Sequence, residues 1–181
     1  LVTGDTYSKY IHPRDRSVRV LFGDAATASL ISSVGPGAKI LDVCLGTDGS
    51  GAKNLIVAAG GARKSTLGRQ FEERAGASGC VRSEANLFMD GQELFAFTLK
   101  RVPALVSELL DKVGLAADAI DTYVFHQAHA FMNEHLRNKM RLPKEKGPLS
   151  LEDVGNTVSN HIPLTLSRTP SQLSTGIRVM L

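Results

Sequence analysis

Two polar side chains stand where this sequence could do chemistry. His126 directly follows a short apolar run, Thr122-Tyr123-Val124-Phe125, and Asn156 follows a glycine just before a short helical pattern. Ligands of α/β sheets bind beyond the carboxyl ends of the strands, so His126 is suitably placed, and Asn156 could be its neighbour in space. Taken singly, each also fits a structural role, His126 as an ordinary histidine and Asn156 as a helix N-cap.

Other kinds of site are disfavoured. His126, His129 and His135 do not share one helical face, and no cysteine or acidic residue completes a ligand set, so no metal is expected. The glycine-rich residues 45–51 lack the lysine of a phosphate-binding loop and the G-x-G-x-x-G spacing, which favours a turn. Cys44 lies in a predicted strand and is expected in the core.

The composition is that of one globular unit. The chain has 181 residues, a formal net charge of +3, 43% hydrophobic residues and 22% charged residues. Every apolar run is interrupted well before the ~18 residues of a membrane span. Lysine and arginine are scattered, which argues against a nucleic-acid groove. Two cysteines fit a reducing compartment, so a cytoplasmic protein is predicted, without membrane or nucleic-acid partners.

The elements that must position His126 and Asn156 alternate between strand and helix patterns. We predict an α/β fold with a mostly parallel sheet. Gly35-Pro36-Gly37 is a strong break, and it suggests two parts, residues 1–36 and 37–181. Strands are predicted at residues 18–22, 39–45, 122–125 and 176–181, and helices at residues 94–113, 128–141 and near 158–166. Residues 17–23 and 176–181 form a faint repeat.

Five short motifs occur in one order along the chain. Together they resemble the C-terminal half of a 3-oxoacyl-[acyl-carrier-protein] (ACP) synthase III, a condensing enzyme of the thiolase-fold superfamily. They are Leu21-Phe22-Gly23-Asp24-Ala25, Leu45-Gly46-Thr47-Asp48-Gly49, Met89-Asp90-Gly91-Gln92-Glu93-Leu94-Phe95, Phe125-His126-Gln127-Ala128 and Gly155-Asn156-Thr157.

The resemblance implies a thiolase-like fold with αβαβα layers. On that mapping, residues 1–36 are the end of the N-terminal half. Residues 37–181 are the C-terminal half, truncated before its last strand and glycine-rich turn. The faint repeat would then be equivalent strands of the two halves. The family's catalytic cysteine would lie before Leu1, so this chain alone is expected to be inactive. Cys80 does not match the nucleophile's position and is expected to be a structural thiol.

The resemblance also implies the reaction, a decarboxylative Claisen condensation of an acyl-CoA with malonyl-ACP in fatty-acid biosynthesis. His126 and Asn156 would stabilise the enolate oxygen with hydrogen bonds. No cofactor is implied beyond the thioester substrates, and the full-length protein would be a homodimer. The implied pantetheine-arm positions are Gly91, Gln92 and Ala128, and the implied carrier-docking positions are Arg137, Lys139 and Arg141.

Two departures from the family pattern bear on the substrates. His129 stands where the family's H-Q-A-N motif has asparagine, and Phe131 replaces an arginine often used for carrier docking. Two alternatives therefore stay open. One is a thiolase-fold acyltransferase that does not decarboxylate its acceptor, and the other is an inactive piece that only packs and dimerises.

Overall fold

The computed structural model describes residues 1–35, 37–76, 79–170 and 176–181. Its strands are β1 (Val2–Asp5), β2 (Ala25–Ala28), β3 (Leu55–Val57), β4 (Arg74–Ala75), β5 (Val81–Arg82), β6 (Leu87–Met89), β7 (Thr122–Tyr123) and β8 (Val179–Met180). Its α-helices are α1 (Arg16–Arg19), α2 (Gly91–Val113), α3 (Ala130–Lys139) and α4 (His161–Arg168). None of the described helices is both long and apolar enough to cross a bilayer.

The strands form four pairs in the described part of the chain. β1–β2, β3–β6 and β4–β5 are antiparallel, and β7–β8 is parallel. The prediction of a mostly parallel sheet is therefore wrong for these residues. The strands run for only two to four residues, and antiparallel partners need no helical crossover between them.

Helix α2 follows the sequence pattern closely. It begins after Asp90, whose carboxylate accepts hydrogen bonds from the backbone of Gln92 and Glu93, both at 3.1 Å. It ends at Gly114, whose φ of 66° is the left-handed conformation that glycine adopts without a Cβ penalty. Pro103 lies inside this one continuous helix.

The apolar face of α2 covers the β7–β8 pair. Val106 and Leu110 of the helix pack with Ile120, Tyr123 and Met180 in one buried cluster. Tyr123 is fully buried, and its hydroxyl donates to the Ala117 carbonyl oxygen at 2.8 Å. This core holds β7, and with it the loop that carries His126.

Two predicted strands are replaced by other structure. Residues 16–19 form α1 because Asp15 caps its N-terminus, accepting from Ser17 N at 3.0 Å, and Val18 becomes fully buried. Only Phe22 of the predicted strand at 18–22 makes a bridge, to Asn156, so the repeat with residues 176–181 does not correspond to equivalent strands here. The predicted 1–36 boundary ends at Pro36, which lies outside the described residues.

Residues 39–45 contain no strand, contrary to the prediction. A strand needs a hydrogen-bonded partner, and no described segment pairs with this backbone. Ile40, Leu41 and Leu45 consequently remain exposed. Cys44 is half-buried in this irregular segment rather than in the core.

Candidate functional site

The loop that follows β7 carries His126 to the end of a buried strand. Val124 continues the pairing beyond β7, since its N–H donates to Met180 O at 2.8 Å. His126 is two residues further on and retains an exposed surface. The predicted position beyond a strand's carboxyl end is therefore found in the structure.

Gln127 anchors this loop. Its side chain is fully buried, and its amide nitrogen donates to the carbonyl oxygens of Phe125 at 2.9 Å and Pro148 at 3.3 Å. Its amide oxygen accepts from Ser150 N at 3.1 Å. Because buried amides are costly to leave unpaired, these three bonds fix the backbone on both sides of His126.

Asn156 is held by a backbone bridge to residues 21–23. Asn156 N donates to Leu21 O at 2.7 Å, and Gly23 N donates to Asn156 O at 2.9 Å. The two segments approach so closely that a Cβ on Gly23 would lie 1.9 Å from Val154 O. Gly155, with φ of 62°, would place a Cβ 2.8 Å from Leu21 O. Both glycines of the motifs are thus required by close backbone contact.

The side chain of Asn156 has a defined orientation. Its oxygen accepts from Val158 N at 2.9 Å, so its amide NH₂ group points the other way. No described hydrogen bond uses that NH₂ group, and Asn156 is otherwise buried. The local structure therefore leaves Asn156 as a hydrogen-bond donor, and the predicted N-cap role is replaced by this internal turn.

Val158 lies at the junction of the site. Its φ of 56° is a left-handed conformation, which costs a β-branched residue of order 1–3 kcal/mol. Its backbone contacts both members of the pair. The N–H binds the Asn156 side chain, and the Val158 backbone, as an acceptor for the ring, acts to raise the pKa of His126.

His126 is neutral near pH 7. Desolvation by the surrounding protein lowers the pKa of its ring, and this outweighs the opposing effect of Val158. The ring of His161 stands edge-on to it, with ring centroids 5.7 Å apart. A neutral imidazole presents one N–H donor, which matches the donor left free on Asn156.

A polar network attaches this segment to β1 and β2. Asn160 is fully buried, and its side-chain oxygen accepts from the hydroxyls of Thr3 at 2.9 Å and Thr27 at 3.2 Å. Its amide nitrogen donates to Asp5 at 3.3 Å and to Thr157 O at 3.1 Å. Strands β1 and β2 therefore hold the turn that carries the Asn156 side chain.

The other predicted site residues make no described hydrogen bond to the side chains of His126 or Asn156. Gly91 and Gln92 form the exposed first turn of α2, and no described hydrogen bond joins them to His126 or Asn156. Ala128 is in the His126 loop, where its N–H donates to His126 O at 3.1 Å. These assignments stay predictions.

The three predicted docking cations have different environments. Arg137 is half-buried and donates to Leu142 O at 2.8 Å, which closes the end of α3. Lys139 and Arg141 are exposed, and no described ion pair includes either of them. Lys139 and Arg141 are the better candidates for contact with an acidic partner.

The two departures from the family motif have structural roles. His129 caps α3, its Nδ1 accepting from Met132 N at 3.1 Å. Phe131 is 58% exposed and packs against Phe95 and His135, with ring centroids 5.8 Å and 4.0 Å away. An aromatic cluster therefore occupies the surface where the family often has an arginine.

The cysteines do not form part of the site. Cys80 is buried and free, as expected of a structural thiol. Cys44 is also free, and desolvation followed by the charge of Glu108 raises its pKa, which disfavours the thiolate. Within the described ranges, no group of three or more histidine, cysteine or acidic residues could hold a metal ion.

Sequence reasoning missed His161 and Asn160. Their neighbours Val158 and Ile162 were assigned to an apolar helix face, and the polar residues between them carry no motif. The only signal was their distance of four or five residues from Asn156, about one helical turn.

Comparisons with known proteins agree with this picture. The family model "3-Oxoacyl-[acyl-carrier-protein (ACP)] synthase III C terminal" matches residues 110–181, and "3-Oxoacyl-[acyl-carrier-protein (ACP)] synthase III" matches residues 1–49. A β-ketoacyl-[acyl-carrier-protein] synthase III of Caldanaerobacter subterraneus is 33% identical over 166 residues, which cover 92% of this chain and 47% of that protein. The chain thus spans about half the length of the curated relatives it matches.

Solved structures give the same result. A crystal structure of a 3-oxoacyl-(acyl-carrier-protein) synthase III superposes with a TM-score of 0.85 and 42% identity, covering 99% of this chain and 54% of that one. A 3-oxoacyl-(acyl-carrier protein) synthase from Burkholderia xenovorans gives 0.69 and 37%, covering 93% of this chain and 46% of that one. These matches confirm the predicted thiolase-like α/β fold.

Proposed function

Because this chain belongs to the 3-oxoacyl-[acyl-carrier-protein] synthase III family, we propose that it supplies the decarboxylating side of a condensing active site. The reaction is acyl transfer from an acyl-CoA to an enzyme cysteine, followed by Claisen condensation with malonyl-ACP and loss of carbon dioxide. The relatives are transferases, which supports this reaction class.

In this proposal, His126 and Asn156 stabilise the enolate. Decarboxylation of a malonyl thioester leaves negative charge on the thioester oxygen, which needs preorganised hydrogen-bond donors. The observation that carries the assignment is the orientation of Asn156, whose oxygen is used by Val158 N so that its NH₂ group is free to donate. The lowered pKa of His126 supports a neutral ring as the second donor.

The remaining parts of the active site belong to a longer polypeptide in this proposal. The nucleophilic cysteine would precede Leu1, where the helix N-terminus common to such sites could lower its pKa. The full-length protein would be a cytoplasmic homodimer of lipid metabolism that needs no cofactor. Lys139 and Arg141 would contact the acidic carrier protein, while Gly91, Gln92 and Ala128 would border the pantetheine arm.

Malonyl-thioester decarboxylation by the full-length protein tests the enolate assignment. His126→Ala or Asn156→Ala should each lower the rate about 10²- to 10³-fold, the usual cost of one oxyanion donor. The double variant should lose less than the product of the two, because the donors act on one oxygen. Loading of the acyl group should be spared. Asn138→Ala, on the exposed face of α3, is the control.

Wild-type decarboxylation rates in both single variants would refute the assignment. An equally large fall in the rates of acyl loading and decarboxylation would also contradict it, because loading would use a separate oxyanion site. Retention of loading with loss of decarboxylation is the result that supports the proposal.

Mass spectrometry tests the expected location of the nucleophile. The 181-residue chain, incubated with an acyl-CoA, should show no stoichiometric acylation. A stable thioester on Cys80 or Cys44 would overturn the mapping onto the family. The full-length protein, acylated once at an upstream cysteine, is the matched positive control.

A further inference from the structure

His161 is a buried titratable group for which the proposed reaction has no use. It is the first residue of α4, and its side chain is completely inaccessible to solvent. Neither ring nitrogen has a hydrogen-bond partner among the described residues. The backbone of Gly155 lies close enough to raise its pKa slightly, but desolvation dominates and lowers that pKa to about 4. A buried imidazole without partners is costly, which calls for an explanation.

Among the residues that the structure describes, His161 pairs with one aromatic ring, that of His126. The two rings meet edge-to-face, with centroids 5.7 Å apart and planes inclined at 68°. This is the favoured geometry for a pair of flat rings, and it restricts how the second ring can turn. Since neither His161 nitrogen has a hydrogen-bond partner among the described residues, the contact of this ring with His126 depends on its shape.

Burial is the main reason that the pKa of His161 is lowered, and the charges around it act in the same direction. Protonated His126 would repel a second charge, and Arg168 on the same helix acts in the same direction. Arg168 itself is bound to Asp153 at 2.7 Å, and Asp5 of β1 is occupied by Ser159 and Asn160. Among the described residues, no carboxylate is hydrogen-bonded to the His161 ring, so its protonated form has no such partner.

We propose that His161 is a positioning residue, whose buried ring fixes the orientation of His126 and excludes water from its inner side. This inference rests on the proposed role of His126 as a neutral donor. With water excluded, the charged form of His126 is disfavoured and its N–H stays aimed at one point. Removing the ring should admit water and free the imidazole to rotate.

The variants His161→Ser and His161→Phe separate ring packing from other effects. Serine leaves a space that water can fill, whereas phenylalanine retains a flat uncharged ring. For His161→Ser, we expect a higher pKa for His126, an acid limb of the decarboxylation pH profile moved to higher pH, and a rate at least about 10-fold lower. His161→Phe should retain the wild-type acid limb and most of the rate. Ser167→Ala, on the exposed side of α4, is the control.

Imidazole NMR of the wild-type full-length protein gives a test that needs no variant. Ring protons of His126 and His161 should show a mutual NOE, His126 should titrate below about 6.5, and His161 should remain neutral down to about pH 5. Titration of His126 at or above about 6.5 would overturn the proposal. So would a serine variant with the wild-type acid limb, or a phenylalanine variant as impaired as the serine variant.

The two proposals fail in different ways. If the wild-type protein does not decarboxylate malonyl thioesters, the proposed function is wrong, while the NMR titration still decides whether His161 controls His126. If decarboxylation depends on His126 but neither variant of His161 changes the acid limb, only the positioning role is wrong.

Discussion

Replacing Gly23 with alanine should separate the segment that carries Asn156 from residues 21–23. The added Cβ would lie 1.9 Å from Val154 O, and real Cβ contacts essentially never fall below 3.0 Å. The two backbones must therefore open by about 1.1 Å. The obstacle is a main-chain carbonyl, which cannot rotate away as a flexible side chain would.

The cost follows from the contacts that hold this seam. Opening it weakens the bonds from Gly23 N to Asn156 O and from Asn156 N to Leu21 O, at 2.9 Å and 2.7 Å. Each is worth about 0.5–1.5 kcal/mol, and overpacking adds about 1–3 kcal/mol. The free energy of unfolding should fall by about 2–6 kcal/mol, a large part of a typical domain's stability. A displacement of about 1 Å at Asn156 should also lower decarboxylation about 10²-fold.

Thermal and urea unfolding of the full-length protein, with decarboxylation measured alongside, test this prediction. Gly46→Ala is the matched control, because no atom lies within 4 Å of the Cβ it would add and Gly46 is exposed. That control should stay within about 0.5 kcal/mol of wild type. If Gly23→Ala were as stable and as active as Gly46→Ala, the close approach of residues 21–23 and 154–156 would be wrong.

Three further predictions concern the same region. Asn160→Ala should lower the free energy of unfolding by about 1–3 kcal/mol in urea melts, since its partners lose their bonds, while Asn138→Ala should change it little. Val158→Gly should change the free energy of unfolding by less than about 1 kcal/mol, because relief of the backbone strain at a φ of 56° offsets the conformational entropy that glycine loses on folding. A fall of more than about 2 kcal/mol would contradict the strain. The free energy of unfolding should fall by up to about 3 kcal/mol as pH drops from about 6.5 to about 4, because His161 binds a proton in the unfolded state but not in the folded state. His161→Phe should flatten this part of the stability–pH curve from melts. An unchanged slope in that variant would refute the buried neutral ring.

Sequence patterns predicted the elements whose signals are local. Helix α2 was indicated by apolar residues at helical spacing and by Gly114, and α3 by its end before Pro143. Both helices have caps within their own sequence, so tertiary contacts were not needed to define them. Strand β7 was also indicated by a local signal, a short apolar run with clear ends.

The failed predictions concern strands, and they depended on contacts that strand propensity does not describe. The valine-rich residues 18–22 have high strand propensity, yet the Asp15 cap makes part of them helical. Residues 39–45 have a similar composition, but in the described part of the chain no strand pairs with them. The β-propensity of a residue describes how well it fits a paired strand, so it cannot show whether a partner strand is present.

The residues of the candidate site also differ in whether a local sequence signal identifies them. His126 and Asn156 could be chosen from the family motifs, because each motif includes its own turn-forming neighbours. His161 could not, since its significance arises only when α4 meets the loop after β7. Asn160 likewise depends on Thr3 and Asp5, more than 150 residues away in sequence.

That last separation has a consequence for how the protein is made. The bonds from Asn160 to Thr3 and Asp5 span 157 and 155 positions. At about 5–20 residues per second, a ribosome needs roughly 8–30 s to extend the nascent chain from β1 to this turn. β1 and β2 can pair early, because only a short stretch separates them, whereas the bonds to Asn160 can form only once that residue has been made. The buried network around Asn160 is therefore completed well after β1 and β2 have been made, and the turn that carries Asn156 is held in place only from then on.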